Sequence, residues 1–296
     1  MIMKEFITIN QKRFATFHTT YTDSNIFLRY DWDERIEDAI YCTSDKHCYF
    51  IYENKKLAGG FTLKENNVSY PFMVQPFDNR KTFWDAVLAY TAKTCGTNEI
   101  FLNEIPETDM QTLIHSHNAT LKWSKRKMIR PTESCVPVLK DGFFFDELNE
   151  KDAPEIVRAV FDSHSTGYTS TVWQTDITEI EEAVTRRFNL FGQTNTLYMS
   201  NVVKDKINQK IVGVCIAGIY PDSPHNFSTI HQVSVRPEYQ RMGLAEAMMF
   251  KSINEAHTIS PAITLGVLIG NPAEKLYKKI GFASGPSYSE LVYKGA

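Results

Sequence analysis

Residues 231–256 read HQVSVRPEYQRMGLAEAMMFKSINEA, and the pattern of the chain changes halfway along this stretch. Val233 and Val235 alternate with polar residues ahead of Pro237, which predicts a strand that ends before the proline. After Gly243 the chain runs through good helix formers without a glycine or proline, which predicts a helix over 243–257. The chain must therefore turn from strand to helix within residues 240–245.

The turn at 240–245 combines the features of an anion site. A helix N-terminus exposes unpaired backbone N–H groups and carries about half a positive charge. Gly243 and Ala245 are small enough to let an anion approach that backbone, and Arg241 adds a cation beside them. The glycine patterns of P-loop and dinucleotide-binding proteins are both absent here. We interpret the turn as a phosphate or pyrophosphate site; the alternative is an ordinary turn.

Two segments together resemble the acetyl-CoA-binding signatures of the GNAT N-acetyltransferase superfamily. Gln240, Gly243 and Ala245 form the pattern Q-x-x-G-x-A, preceded by the strand and proline that the family carries. The segment GNPAEKLYKKIGF resembles the other signature, in which a helix carries an asparagine, an alanine and a leucine–tyrosine pair. The resemblance covers residues 195–295 and extends with less specific motifs over 143–194 and 1–130.

The segment GNPAEKLYKKIGF, residues 270–282, also predicts a helix from its own residues. Asn271 suits the N-cap position and Pro272 the first helical position, and Gly281 suits the position just beyond a helix. Ala273 and Tyr277 are four residues apart and share a face of this helix. We expect that face to border a groove next to the preceding helix.

The resemblance implies a fold, a cofactor and an activity. The fold is α/β (α+β), a mixed and mostly antiparallel sheet flanked by helices, with acetyl-CoA as co-substrate where two strands splay apart. The resemblance also implies that the Val233 N–H stabilises the oxyanion and that Tyr277 is the general acid for the departing thiolate. The expected cofactor-binding residues are Val233, Val235, Gln240, Arg241, Met242, Gly243, Leu244, Ala245, Asn271, Ala273 and Tyr277.

The base that takes the proton of the acceptor amine is open to more than one assignment. His231 is a candidate, because strand alternation from Val233 would put both side chains on one face and because histidine titrates near neutral pH. A structural role for this histidine is the alternative. Glu290, on the last predicted strand, is a second and weaker candidate.

The resemblance further implies that the acceptor contacts the region that follows residue 160. Asp162, His164 and Tyr168 lie there, in or just after a predicted helix. The next residues, STGYTSTVW over 165–173, are rich in hydroxyl groups and aromatic rings. They form either a lid over the acceptor site or a loop that caps its own backbone.

The two halves of the chain follow the same order of predicted elements. With the second half shifted back by 161 residues, VRPEYQRMGLA (235–245) aligns without a gap on VQPFDNRKTFW (74–84). Thr82 and Trp84 then stand where the second half has its two small residues, and Ile114 stands where it has the tyrosine. We therefore expect two tandem copies of one fold, the first of which is degenerate and does not bind acetyl-CoA.

The proline-rich segment PTESCVPVLKDG, residues 131–142, is the predicted linker between the copies. We place the degenerate GNAT-like domain at 1–135 and the acetyl-CoA-binding GNAT domain at 136–296. Since the first copy makes its turn with bulky residues, we expect Gly243 and Ala245 to serve a ligand rather than the turn itself.

Composition narrows the class of protein. A length of 296 residues suits two domains, and a net charge of −3 argues against nucleic acid or an anionic membrane as a partner. The five cysteines are odd in number and widely spaced, which indicates free thiols of a reducing compartment and neither disulfides nor a metal site. The sequence has no apolar run of membrane-spanning length and no leader pattern, so we expect a cytoplasmic protein.

Taken together, these features predict an N-acyltransferase (acyltransferase of the N-acetyltransferase type). It would move an acetyl group from acetyl-CoA to a primary amine of a small molecule or peptide by direct attack in a ternary complex. The alternative is a non-catalytic acyl-CoA-binding regulatory module; the tyrosine at position 277 favours the enzyme. We expect no metal, no nucleic-acid partner and no membrane partner, and a monomer or homodimer.

Overall fold

The computed structural model describes residues 4–21, 32–172, 175–221 and 226–295. The chain divides into two compact units: unit 1 comprises Met1–Arg126 and Gly285–Ala296, and unit 2 comprises Lys127–Ser284. This division differs from the expected boundary after residue 135. Residues 127–135 belong to unit 2, and the end of the chain returns to unit 1.

Each half of the chain has the same order of strand, two helices, three strands, helix, strand, helix and strand. The first half consists of β1 (Lys4–Ile9), α1 (Gln11–Tyr21), α2 (Trp32–Thr43), β2 (His47–Glu53), β3 (Lys56–Lys64), β4 (Asn67–Met73), α3 (Arg80–Cys95), β5 (Glu99–Pro106), α4 (Glu107–His117) and β6 (Thr120–Pro131). The second half consists of β7 (Phe143–Glu147), α5 (Ala153–Thr166), α6 (Ile177–Gln193), β8 (Asn201–Asp205), β9 (Ile211–Ile219), β10 (Ser228–Val235), α7 (Leu244–Ala256), β11 (Ala262–Leu268), α8 (Ala273–Lys279) and β12 (Ala283–Lys294).

The sheet of each unit is mixed and mostly antiparallel, which confirms the predicted fold class. In unit 1 the strand order is β1-β2-β3-β4-β5, followed by the β12 residues that belong to this unit. In unit 2 the β6 residues from Lys127 onward are followed by β11-β10-β9-β8-β7. β4 pairs with β5 in parallel and β10 with β11 in parallel, while β9 pairs antiparallel with both β8 and β10.

In unit 2 both faces of the sheet are covered, and β9 shows this directly because every one of its residues is buried. Cys215 and Ala217 belong to the core on the face that carries α7 and α8. Val214 and Ile216 belong to the core on the face that carries α5 and α6. A strand covered on both faces favours a continuous apolar run over alternation, as the sequence of β9 has. No helix within the described ranges is long and apolar enough to cross a bilayer.

In unit 1 a buried carboxylate joins α3 to α4. Asp109 Oδ1 accepts a hydrogen bond from Trp84 Nε1 at 3.0 Å and another from Arg80 Nη1 at 2.9 Å. The Trp84 side chain is fully buried and Asp109 is nearly so. The indole therefore fills the space between the two helices, at the position where the second half of the chain has a small residue.

We expect Asp109→Ala to lower the free energy of unfolding of unit 1 by about 3 kcal/mol, because it leaves a buried indole N–H and a partly buried guanidinium without their acceptor. The measurement is urea unfolding followed by circular dichroism and tryptophan fluorescence.

The matched control is Asp85→Ala, which removes a half-exposed carboxylate that pairs with Lys81 and His117. Exposed pairs of this kind contribute at most about 1 kcal/mol. If Asp109→Ala is no more destabilising than Asp85→Ala, the carboxylate does not hold α3 and α4 together.

Candidate functional site

The strands β10 and β11 separate soon after they begin. They pair only over Ser228–Ile230 and Ile263–Leu265. Beyond these residues β10 continues to Val235 and β11 to Leu268, with no further pairing between the described residues of the two strands. The sheet of unit 2 therefore has a V-shaped opening between β10 and β11, where the resemblance implied one.

The backbone of β10 presents an unpaired edge to this opening. The N–H of Arg236 donates to the carbonyl of Val212 at 2.9 Å, which fixes which groups face β9. Alternate residues of a strand turn their N–H and C=O groups to opposite edges, so those of Val233 and Val235 face the opening. The Val235 carbonyl accepts a hydrogen bond from Gln240 Nε2 at 3.1 Å. The Val233 N–H is thus placed to donate to a group that enters between the strands.

A β-bulge interrupts β10 at His231. Ile230 lies opposite Ala217 and Gln232 lies opposite Ile216, so His231 has no residue opposite it in β9. A bulge inserts one extra residue into a strand and shifts the alternation of side chains beyond it. The faces of residues before and after the bulge therefore cannot be assigned by counting in twos.

His231 does not share a face with Val233, and the prediction that it does is wrong for this reason. Its Nε2 atom hydrogen-bonds with Arg187 of α6, a helix on the face opposite α7 and α8. Val233 packs against the core on the α7 and α8 face. A guanidinium has only donors, so it takes up the lone pair that a general base would need.

The turn that precedes α7 has an unusual backbone. Arg241 has φ 64° and Gly243 has φ 81°, both in the left-handed region. The helix begins at Leu244, and no side chain caps its N-terminus. Arg241, Met242 and Gly243 are exposed, and Arg241 has no ion-pair partner among the described residues. Successive N–H groups in such a turn, together with a helix N-terminus, form a concavity that suits an anion.

The first half of the chain makes a different turn at the aligned position. There α3 begins at Arg80, which aligns with Arg241, and Asn79 Oδ1 accepts from the Thr82 N–H at 3.0 Å. The first copy thus has a capped helical turn where the second copy has an exposed loop. The expectation that the first copy makes the same turn with bulky residues is wrong, because α3 has already begun at that position. Gly243 therefore suits the left-handed backbone of its own turn, whether or not a ligand binds there.

The helix α8 is fixed at both ends. Asn271 Oδ1 accepts from the Ala273 N–H at 2.9 Å, as expected of an N-cap. At the other end the Phe282 N–H donates to the Tyr277 carbonyl at 2.9 Å. Arg130, a buried residue that the sequence did not single out, donates to the carbonyl at residue 280. These contacts hold the turn that carries Tyr277.

Tyr277 lies over the part of the sheet that contains Val233. The phenol is close to Cys215, which is the residue of β9 directly opposite Val233. Burial raises the pKa of Tyr277 well above its usual value, and the neighbouring Cys215 adds to the shift. Burial also raises the pKa of Cys215 to about 12, so this thiol stays protonated and is a poor nucleophile.

Two of the residues predicted to contact the acceptor, Asp162 and Tyr168, bond with the residues that follow the ends of β10 and β11. Asp162 pairs with Arg158 at 2.9 Å and with Arg236. Tyr168 donates its hydroxyl to the Ile269 carbonyl at 2.7 Å, at the end of β11. A side chain at the next residue, Gly270, would collide with that phenol, since an added Cβ would lie 2.5 Å from the hydroxyl oxygen.

The segment 165–173 uses its hydroxyl groups locally. Ser170 Oγ donates to the Gly167 carbonyl and Thr171 Oγ1 to the Tyr168 carbonyl, each at 2.7 Å. This favours the capped-loop interpretation for those two residues. Trp173 lies outside the described residues.

Glu290 belongs to unit 1, whereas the other predicted site residues belong to unit 2. Burial raises the pKa of Glu290, and the positive charge of Lys125 opposes the shift. Its side chain also hydrogen-bonds with Trp123. The carboxylate is therefore accounted for by neighbours within unit 1.

The remaining predicted residues also lie in unit 2. Ala245 and Ala273 are partly buried small residues beside the core under α7 and α8. The side chain of Leu244 is buried, so this residue contributes only its N–H at the start of α7. The space around Gly243 is open, since an added Cβ would meet no atom within 4 Å.

Comparison with known proteins agrees with this geometry. A profile of the acetyltransferase (GNAT) family matches residues 158–282. A GCN5-related N-acetyltransferase from Sphaerobacter thermophilus aligns over 98% of this chain and 95% of its own, with 13% identity and a TM-score of 0.68. A tandem GNAT protein from the clavulanic acid biosynthesis pathway aligns over 99% of both chains, with 9% identity and a TM-score of 0.57. None of the curated proteins compared matches the sequence. At these identities the solved structures establish the fold.

We expect Gly243→Ala to lower the free energy of unfolding of unit 2 by about 1 kcal/mol, the cost of a left-handed backbone for a residue with a Cβ. The open space around Gly243 excludes a steric clash as the cause. The measurement is thermal unfolding by calorimetry. Gly243→Asn is the control and should cost less, because asparagine tolerates this conformation. Equal losses for the two variants would contradict the backbone explanation.

Proposed function

We propose that unit 2, in which residues 158–282 match a profile of the GNAT acetyltransferase family, transfers an acetyl group from acetyl-CoA to a primary amine of a small molecule or peptide. One observation carries the proposal. Unit 2 combines an open edge of β10, an uncapped start of α7 and the phenol of Tyr277, which is buried beside Cys215, the residue of β9 opposite Val233.

The residues that would hold acetyl-CoA divide by the part of the cofactor they contact. The N–H groups at the start of α7 and the side chain of Arg241 suit the pyrophosphate. The backbone of Val233 and Val235 suits the amides of the pantetheine arm, which would pair as an added strand does. Acetyl-CoA supplies an acyl group activated as a thioester.

The chain supplies a hydrogen-bond donor at each end of the reacting bond. The Val233 N–H donates to the acyl oxygen as that oxygen gains negative charge. The amine nitrogen forms a bond to the acyl carbon, the carbon–sulfur bond breaks, and the sulfur takes up a proton. Tyr277 is the proposed source of that proton. Burial raises the pKa of Tyr277, so the phenol carries its proton before the reaction begins.

We propose that unit 1 does not bind acetyl-CoA. Trp84 fills the space between α3 and α4, and Arg80 is occupied by Asp109. The N-terminus of α3 is already capped by Asn79. In unit 2 the corresponding features are a small residue, an arginine without an ion-pair partner among the described residues, and an uncapped helix N-terminus. In unit 1 a protein group takes the place of the ligand at all three.

Isothermal titration of the full chain with acetyl-CoA should give one site per chain. Arg241→Ala should weaken binding roughly tenfold, the effect of losing one charge-assisted contact of about 1.4 kcal/mol. The control is Arg186→Ala, which removes an exposed arginine of α6 in the same unit. The absence of binding by the wild-type chain would refute the proposed cofactor, and a second site per chain would refute the assignment of unit 1.

A thiol-release assay with amines, amino acids and aminoglycosides separates an enzyme from a non-catalytic acyl-CoA-binding module. For an acceptor found in this way, Tyr277→Phe should lower kcat by about 10²-fold or more while the Kd for acetyl-CoA stays unchanged. Tyr198→Phe, at a half-exposed tyrosine of unit 2, is the control. Binding without turnover of any amine would favour the module, and an unchanged kcat for Tyr277→Phe would remove the general-acid role.

A further inference from the structure

An arginine occupies a core-facing position of α6. The buried side chains of this helix are Ile180, Val184, Phe188 and Phe191, which follow the spacing of an apolar stripe. Arg187 lies within that stripe, three residues after Val184 and four before Phe191. Charged side chains are almost never buried unless they are paired, so the role of Arg187 has to be sought in a partner.

The described residues supply this guanidinium with no carboxylate. Arg187 Nη2 contacts His231 Nε2, and the guanidinium also hydrogen-bonds with the Tyr220 side chain. The Nε atom of Arg187 is buried and has no hydrogen-bond partner in the described part of the chain. Burial lowers the pKa of Arg187, yet an arginine side chain remains charged at neutral pH. Unit 2 therefore holds a half-buried cation whose charge no described carboxylate balances.

The bulge in β10 brings His231 to this cation. His231 contacts Arg187 of α6, and the side-chain nitrogen of the next residue, Gln232, donates to His164 Nε2 of α5 at 2.9 Å. In a regular strand two consecutive side chains point to opposite faces, whereas both of these meet the helices of one face. His231 also directly follows Ile230, the last residue of β10 that pairs with β11. The contact between Arg187 and His231 is therefore made at the residue where the opening begins.

We propose that Arg187 and His231 bind a carboxylate of the acceptor, so that the acceptor is a small amino acid or another amine that carries a carboxylate. The inference rests on the proposed transferase function and names its substrate class. Arg187 is partly exposed and its Nη2 atom meets the exposed ring of His231, so a ligand reaches the Nη end of the guanidinium. Because Arg187 donates to Nε2, the neutral imidazole carries its proton on Nδ1, and the pair presents only N–H donors.

A carboxylate suits this pair better than other charged groups. A guanidinium binds a carboxylate through two parallel N–H···O bonds, and one negative charge balances the one cation. A polycationic amine such as an aminoglycoside would instead bring positive charge against Arg187. The site therefore favours anionic acceptors over cationic ones.

The position of the pair limits the length of the acceptor. Val233, whose N–H is the proposed donor to the acyl oxygen, lies two residues beyond His231, roughly 7 Å along an extended strand. The amine nitrogen has to come within about 3.5 Å of the acyl carbon to attack it. The amine and the carboxylate of the acceptor are therefore only a few bonds apart, as in a free amino acid.

A first test asks whether Arg187 is retained for stability. Arg187→Met keeps an unbranched side chain within the apolar stripe and removes the unbalanced charge, so Tm should stay the same or rise, as is common for residues that serve binding. Arg186→Met, at the neighbouring exposed arginine, is the matched control. A Tm that falls in Arg187→Met and not in Arg186→Met, measured by calorimetry, would overturn the proposal in favour of a structural arginine.

A second test detects the carboxylate site without turnover. The probe is sodium acetate, titrated into the full chain labelled with ¹⁵N-histidine, with sodium chloride at the same ionic strength as the reference. We expect a saturable shift of the His231 ring signals, assigned with His231→Gln, in the wild type and in Arg186→Met. In Arg187→Met the shift should be lost. The absence of an acetate-specific shift in the wild type, or the same shift in Arg187→Met, would overturn the proposal.

The kinetic test compares each amino acid of a panel with its own carboxamide. The ratio of their kcat/KM values should fall about tenfold or more from the wild type to Arg187→Met, the effect of losing one charge-assisted contact. Comparison between variants cancels any difference in the amine's own pKa. Arg187→Lys should restore part of the ratio, because it returns the charge without the planar fork. Arg186→Met should keep the wild-type ratio.

The two proposals fail in different experiments. A wild-type chain that binds no acetyl-CoA, or turns over no amine, refutes the transferase function before any variant is compared. Turnover with the same ratio of amino acid to carboxamide in the wild type and in Arg187→Met refutes the substrate class alone.

Discussion

The short pairing between β10 and β11 is the constraint on which the site depends. After Ile230 the two strands no longer share hydrogen bonds, and the bulge at His231 falls at the same point. An unpaired N–H or C=O group within a sheet needs another partner, because leaving it buried and unsatisfied is costly. The N–H and C=O groups on the edge of β10 that faces the opening can therefore hydrogen-bond with an extended ligand, which would pair with β10 as an added strand does.

The two copies keep this scaffold and differ in how the next helix begins. In the second copy the helix starts late, behind a loop with two left-handed residues, and its first N–H groups are left without a side-chain cap. In the first copy the helix starts at Arg80 and is capped by Asn79. The second copy therefore lacks the stabilisation that a capping side chain provides, and Arg241 has a strained backbone conformation. Such local losses of stability are expected where a backbone binds a ligand. In the first copy the helix has its cap, and the Trp84 side chain is buried beside α4.

The sequence predicted the features that depend on hydrophobic pattern and on punctuation by glycine and proline. The order of strands and helices that the two copies share, the hydrogen bond from Asn271 to the start of α8 and the end of α8 near Gly281 follow from local residues and agree with the structure beyond residue 46. The bulge has no such signature, because HQVSV alternates as an ordinary strand does, and the face of His231 was therefore assigned wrongly. The sequence also does not show which strands pair when they are far apart in the chain. Residues 285–296 return to unit 1 because β12 pairs with β5.

The same limit explains why Gln232 and Arg130 escaped the sequence analysis. A glutamine after a bulge and an arginine just before the predicted linker are ordinary residues until the structure places one against His164 and the other at the end of α8. Both act on a neighbour's orientation: Gln232 fixes an imidazole, and Arg130 holds the turn that follows Tyr277. Supporting residues of this kind have no required spacing from the groups they hold, since they come from different elements. In this chain, motifs predict the strand and the turn of the candidate site, and only three-dimensional contacts identify the side chains that hold its parts in place.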